Sequence, residues 1–237
     1  MTFFNYNLML SRQANIGLVD DHVLFRTALQ LYLSEQQNLT ISLQASDIFE
    51  LLEKLKNTSV DILVMDIFLP KLNGNDALTM IRAEHPGMKI VALSMSTDMN
   101  LINELLVKGI HGYISKADEP EELVKAIQAV SENRIYRNKL LTEALYWNTQ
   151  NNIKPASAAS QVRLSDREKK LLQLIWEEKS NKEIADILFL GTRSVEKIRQ
   201  DLKDKVGVKS TVGLLKYAID NRLVLLEGQV NHWQHTN

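Results

Sequence analysis

The stretch "DILVMDIFLP", residues 61–70, decides the fold. Ile62, Leu63, Val64 and Met65 make an unbroken apolar run, as a strand buried on both faces requires. Asp66 follows with no polar spacer. An ionised carboxylate at the end of such a run is costly unless something pairs with it. The fold class therefore turns on what surrounds this strand, and the function on what meets Asp66.

Outward from residue 61 the same rhythm repeats. Strands are expected at 15–20 ("NIGLVD"), 40–45 ("TISLQA"), 61–66, 89–95 ("KIVALSM") and 112–116 ("GYISK"). Between them lie helical periods. Residues 22–36 place Phe25, Leu29 and Leu33 on one face. Residues 47–57 begin with Asp47 as a helix N-cap, and 73–86 hold a helix that stops before Pro86. Residues 99–109 form a helix closed by Gly109, and 119–133 one with Pro120 in its first turn. Five β–α units in succession predict a parallel sheet with helices on both faces. In such sheets, sites form at the carboxyl ends of the strands. The residues there are Asp20 and Asp21, Asp66, Ser94 and Lys116.

No histidine or cysteine accompanies these carboxylates, and the set reads as all-oxygen. That favours a hard cation, and Mg2+ takes one or two carboxylates while keeping waters. A carboxylate held beside Mg2+ and Lys116 can act as a nucleophile toward phosphorus, with the two cations neutralising the phosphoryl oxygens. Each residue alone has a plainer reading: a strand-end turn cap for Asp66, a helix cap for Asp20 and Asp21, a solvated surface lysine for Lys116. Their meeting at four strand ends sets the plainer readings aside.

Composition agrees with a globular chain. Of 237 residues, 45% are hydrophobic and 24% charged. The absence of cysteine excludes a disulfide framework and thiolate metal sites, and suits a reducing compartment. No apolar run approaches the roughly 20 residues of a membrane span. "MTFFNYNLML" lacks the basic start and cleavage site of a signal peptide. The net charge of −1 conceals an asymmetry: residues 1–160 carry 14 basic and 18 acidic residues, residues 161–237 carry 14 and 11. Between the halves, "NTQNNIKPASAASQV" (148–162) has linker composition. "KLLTEALYWNTQ" (139–150) is expected to add a helix whose Tyr146 and Trp147 need a partner.

The second half reads as four helices. Ser165 and Glu168 make a capping box before Leu171, Leu172, Ile175 and Trp176. A short helix at 181–189, a turn at Gly191 and a longer helix at 192–207 suggest helix-turn-helix, with a last helix at 210–224 capped by Ser210. Residues 192–209 hold six basic and three acidic residues. Val195, Ile198, Leu202 and Val206 are the expected buried stripe, leaving Glu196, Lys197, Arg199, Gln200 and Lys203 on the polar face. Charge alone fits a solvated face as well as a DNA-binding one.

"LVDDH", "ILVMDIFLPKLNG", "VALSMS" and "GYISK", in this order and spacing, resemble the receiver domain of two-component response regulators over residues 15–135. The resemblance implies a flavodoxin-like α/β receiver domain with Asp66 as phosphoacceptor. It implies Mg2+ bound by Asp20, Asp21, Asp66 and the backbone carbonyl of Phe68, a phosphate-binding Lys116, and Ser94 with Tyr113 as the switch pair. Pro70 and Gly74 match the loop after the phosphoacceptor. Met95 departs from the family, whose residue after the switch hydroxyl is small; a bulky side chain there is expected to narrow phosphoryl access.

"LSDREKKLLQLI…SNKEIADILFLGTRSVEKIRQDLKDKVGVKS" resembles the LuxR-type helix-turn-helix of the NarL/FixJ class over 163–224. By position, Glu196, Lys197 and Gln200 match base-reading residues, and Lys182, Thr192, Arg199, Lys203 and Lys209 match phosphate contacts. Ile198 and Asp201 depart from the family's usual His and Asn.

The expected organisation is an N-terminal extension (1–14), a receiver domain (15–137), a helical extension and linker (138–162), a small all-α DNA-binding domain (163–226) and a tail (227–237). The expected partners are a sensor histidine kinase or phosphotransfer protein, double-stranded DNA and a second copy of the chain, with no membrane and a cytoplasmic location. No enzyme activity is expected beyond self-phosphorylation from a phosphodonor and slow self-dephosphorylation. Two alternatives stay open: a pseudo-receiver that acts through protein contacts alone, and an aspartate-nucleophile phosphohydrolase. Phe68, where such hydrolases carry a second Asp, speaks against the latter. His232 and His235 read as part of a polar tail.

Overall fold

A computed structural model describes residues 13–150, 162–221, 223 and 224. The expectations for residues 1–12, most of the linker and the tail with His232 and His235 lie outside them. The described residues fall into two compact units, one of those up to Thr97 together with Ile110–Glu132, the other of Asp98–Gly109 together with those from Asn133 onward.

In the first unit, five strands build one parallel sheet: β1 (Ala14–Val19), β2 (Leu39–Ala45), β3 (Ile62–Asp66), β6 (Lys89–Ser94) and β7 (Gly112–Ser115). Their order is β2-β1-β3-β6-β7. Every residue of β3 is buried, as its unbroken apolar run requires. The helices α1 (Val23–Ser34), α2 (Ile48–Leu55) and α3 (Gly74–Glu84) lie between successive strands of the sheet, and α5 (Pro120–Ser131) follows the last one. Asp47 caps α2 by accepting from the Phe49 and Glu50 amides, both at 2.9 Å. Pro120 opens α5 as expected.

The order reverses between β1 and β3: the chain leaves β1 toward β2 and then crosses back. In open α/β sheets this reversal leaves a crevice at the carboxyl edge, where ligands bind. Asp20 and Asp66 flank it. The sequence reading did not include a short antiparallel hairpin, β4 (Phe68–Leu69) with β5 (Leu72–Asn73), just past Asp66. Lys71 turns it with φ 70°. Gly74 follows where no side chain fits: a Cβ there would lie 2.5 Å from Ile67 Cγ2 and 2.8 Å from the Ile67 carbonyl oxygen.

The second unit is helical: α6 (Lys139–Gln150), α7 (Asp166–Trp176), α8 (Asn181–Leu188), α9 (Thr192–Val206) and α10 (Thr211–Asp220). Capping boxes start α7 at Ser165 and α8 at Ser180, and Ser210 caps α10. One element crosses the expected boundary. Helix α4 (Met99–Lys108), closed by Gly109 at φ 98°, belongs to this unit and packs against α6 and α10. The α6 stripe Leu141, Ala144 and Leu145 is fully buried. Trp147 Nε1 donates to Asn100 Oδ1 of α4 at 2.9 Å. Tyr146 meets Trp176 edge-on with ring centroids 6.1 Å apart, and Arg137 lies over the same indole at 4.1 Å. The two aromatic residues that lacked a partner in the sequence thus have one each.

Among the described residues, no helix is long and apolar enough to cross a membrane.

Candidate functional site

At the carboxyl edge of the sheet, Asp66 is 3% exposed at the end of β3, and Asp20, also 3% exposed, follows β1. The Phe68 amide donates to Asp66 Oδ1 at 2.9 Å, so the turn after β3 fixes the carboxylate. Lys116, just past β7, places its Nζ 2.5 Å from Asp66 Oδ2 and 2.7 Å from Asp20 Oδ2. Burial pulls the Lys116 ammonium down, but its hydrogen bonds and charge contacts with Asp20 and Asp66 outweigh that and hold it above the ordinary lysine value. The Phe25 ring lies 4.8 Å below it. Lys116 is therefore a bound cation, and its solvated alternative is set aside.

Ser94 ends β6 fully buried, its Oγ accepting from the Ser96 amide at 3.1 Å. Tyr113 of β7 is 1% exposed, and its hydroxyl donates to the Ser96 carbonyl at 2.6 Å. Both residues of the expected switch pair thus hold the same loop, at Ser96. Met95, between them, is 67% exposed.

The expected all-oxygen set needs a correction. His22 joins it: ligand atoms of Asp20, Asp21, His22 and Asp66 all lie within 4.8 Å of one another. The chain turns sharply after β1, so three consecutive residues face the crevice. The His22 amide donates to Asp20 Oδ1 at 2.8 Å, and His22 Nδ1 lies 2.9 Å from Asp21 Oδ1. Arg26 also caps the turn by donating to the Asp20 carbonyl. The signal was present in "DDHVLFR", whose His and Arg read only as helix residues.

The carboxylates fit a hard cation. Asp21 Oδ1 is buried, and His22 approaches it without hydrogen-bond alignment, so an oxygen lone pair is left for another partner. Oxygen donors at a half-open edge suit Mg2+, which keeps part of its water shell. Imidazole is a poor Mg2+ ligand, so His22 reads as a rim residue of the pocket.

In the second unit, the exposed face of α9 carries Thr192, Arg193, Glu196, Lys197 and Gln200. Lys182 at the start of α8 and Lys209 after α9 are exposed, and Lys203 is half-buried. Arg199 does not join them. It is 4% exposed, with its guanidinium donating to Asn181 Oδ1, to the Asn133 carbonyl (2.6 Å) and to Thr211 Oγ1 (3.0 Å). Burial lowers its pKa to about 10, opposed by the charge of Glu196. As a phosphate contact it is withdrawn: its guanidinium is buried and bonded to acceptors inside the fold. The buried stripe is Val195, Arg199 and Leu202, with Ile198 and Val206 only half-buried. Gly191 lies in the expected turn and N-caps α9 in extended geometry, and Phe189, two residues before it, takes φ 53°.

Comparison with known proteins covers both units. The family "Response regulator receiver domain" matches residues 16–128, and "Bacterial regulatory proteins, luxR family" matches residues 162–218. Transcriptional regulatory protein MctR of Rhizobium johnstonii is 32% identical over 207 residues, which span 87% of this chain and 94% of that protein. Oxygen regulatory protein NreC of Staphylococcus aureus is 32% identical over 213 residues, 88% of this chain and 98% of that one. RcsB of Salmonella enterica serovar Typhimurium, solved on promoter DNA with the phosphomimetic BeF3−, shares the fold with a TM-score of 0.54 at 21% identity, over 88% of this chain and 100% of that one. The chain belongs to the two-component response regulators that join a receiver domain to a LuxR-family helix-turn-helix DNA-binding domain.

Proposed function

We propose that this transcription regulator is switched by phosphorylation of Asp66. The observation that carries the reading is the setting of that carboxylate: 3% exposed, fixed by the Phe68 amide and paired with Lys116 beside Asp20. One Asp66 oxygen attacks the phosphorus of a phosphohistidine on a sensor kinase or phosphotransfer protein. The phosphorus–nitrogen bond breaks, and its electron pair leaves with the imidazole, which takes up a proton. Lys116 compensates the phosphoryl oxygens, and the Ser94 hydroxyl serves as the switch donor. Asp20, Asp21, Asp66 and the Phe68 carbonyl would hold Mg2+, which supplies further positive charge against the phosphoryl group when bound.

About two negative charges then sit at the sheet edge. Ser94 and Tyr113 both bond to Ser96, which leads into α4, so a change at either reaches that helix. The output is DNA binding in the cytoplasm. A single recognition helix gives limited affinity, so two copies act as a symmetric dimer on a two-fold related site. The protein acts on its own phosphate only, since Phe68 stands where a phosphohydrolase of this kind would carry its acid/base.

The test is incubation with a small acyl phosphate and Mg2+, followed by intact-mass measurement and selection of genomic DNA fragments. The wild type gains one phosphoryl group and enriches a defined set of fragments; Asp66→Asn does neither. Enrichment that is the same with and without phosphodonor, and in Asp66→Asn, would instead establish a pseudo-receiver.

A further inference from the structure

The turn between α8 and α9 holds an apolar side chain left almost wholly in solvent. Phe189 takes the left-handed conformation, φ 53° and ψ 49°. Its amide bonds to the Asp186 carbonyl at 3.4 Å and the Leu190 amide to the Ala185 carbonyl at 2.9 Å, closing α8. Glycine or asparagine fills such positions without strain, whereas a bulky side chain there meets its own backbone. It is also 94% exposed, the highest value among the large apolar residues described. The two hydrogen bonds that close α8 hold this backbone, as the same pair does at Glu178 (φ 58°) after α7; the apolar ring left in solvent is a cost that they do not offset.

What the ring meets follows from its place. Two residues on, Gly191 N-caps α9 with no side chain in the way, and Thr192 and Arg193 open the exposed face that continues through Glu196, Lys197 and Gln200. Phe189 thus stands in the chain immediately before the exposed α9 residues to which DNA reading is assigned. Exposed Asp186, one turn back, disfavours a phosphate at this spot. An apolar group of the duplex remains, and in the major groove that is the thymine methyl, to which Phe is a fitting partner.

We propose that Phe189 is a specificity-determining contact that packs on a thymine methyl group at the flank of the site read by α9. The inference rests on DNA binding by this domain. It adds an apolar contact to the polar ones on α9 and predicts a thymine preference beside the bases that they read.

The experiment selects a duplex with the full-length protein and then replaces each thymine in turn by uracil, which removes only the methyl. Wild type is expected to lose about fourfold in affinity at one flanking position, the worth of one buried methyl. Phe189→Asn is expected to bind about tenfold more weakly than wild type and to be indifferent to uracil at that position, while Phe189→Tyr keeps the wild-type pattern. Asparagine tolerates the left-handed backbone, so the thermal midpoint of Phe189→Asn should equal or exceed that of wild type, which separates a lost contact from a lost fold. If no uracil position distinguishes wild type from Phe189→Asn, the proposal fails. Unchanged DNA affinity with reduced transcription by purified polymerase would overturn it in favour of a protein partner. Failure of the wild type to bind any duplex would overturn the DNA-binding reading as well.

Discussion

Two enclosed cations that a sequence reader would class alike, Lys116 and Arg199, do opposite things. Lys116 sits at the sheet edge between two carboxylates, and its charge is matched. Arg199 sits inside the helical unit among neutral acceptors, and its charge is not; burial depresses it accordingly. A matched ammonium between two acids is poised for exchange with another cation or a phosphoryl group. A guanidinium spread over a side-chain amide, a carbonyl and a hydroxyl is a fastener: it ties α9 to the start of α8, the start of α10 and the Asn133 carbonyl.

The largest expected effect follows from that difference. Arg199→Ala strips partners from three acceptors at once and leaves space in a closed interior, so the helical unit should lose about 2–4 kcal/mol of stability. Lys197→Ala, two positions earlier on the exposed face, should change stability by less than about 0.5 kcal/mol. Urea unfolding of the two variants beside wild type decides the matter. Equal midpoints for Arg199→Ala and wild type would break the comparison and return Arg199 to the DNA face.

The matched cation gives the next effect, and its sign depends on metal. Lys116→Met leaves Asp20 and Asp66 facing each other with no compensating charge, so without Mg2+ the receiver unit should lose about 1–2 kcal/mol. Mg2+ restores the missing charge, so saturating Mg2+ should raise the thermal midpoint of Lys116→Met more than that of wild type. Thermal unfolding of both proteins across a Mg2+ titration measures this directly. Parallel shifts would mean that Lys116 does not compete for the same charge.

These two residues also show where sequence reasoning works. Asp20, Asp66, Ser94 and Lys116 were legible because an apolar run ends at each, and the end of a parallel strand has only one place to be. His22 was missed because its role comes from a turn, in which consecutive residues share a face that strand periodicity would separate. On α9 the reading had less margin. Successive helix positions are about 100° apart, so taking Ile198 rather than Arg199 as the inner residue moves a side chain from interior to surface. Hydropathy favoured Ile198; the acceptors that make Arg199 the better choice, Asn133 and Thr211, lie 66 and 12 residues away. The place of α4 was hidden for a similar reason. Its β–α rhythm belongs to the sheet, while α6, its packing partner, begins some thirty residues later.

On the DNA face itself, the comparison narrows to two lysines. Lys197 is exposed beside Glu196, while Lys203, two turns along, is half-buried. Lys197→Ala should weaken binding to the selected site about tenfold with little effect on random DNA, as a base contact does. Lys203→Ala should weaken both alike and flatten the slope of log affinity against log salt by about one. Fluorescence anisotropy over a salt series, on selected and random duplexes, separates the two. Equal losses on both duplexes for Lys197→Ala would remove it from the base-reading set.

The smallest effect concerns Met95. Its side chain is 67% exposed, so truncation should leave stability within about 0.5 kcal/mol of wild type. Whatever it does must therefore appear in kinetics. Met95 lies one residue past Ser94, at the edge where a phosphodonor has to approach and water has to reach a phosphorylated Asp66. A thioether side chain at that mouth is expected to slow both steps, so Met95→Ala should gain the phosphoryl group faster and lose it faster, with little change in the final extent. Following intact mass over time, first during loading and then after removal of the phosphodonor, reads both rates in one preparation. Faster loading with an unchanged lifetime would confine Met95 to donor access. Equal rates in both phases would leave this departure from the family without a kinetic consequence.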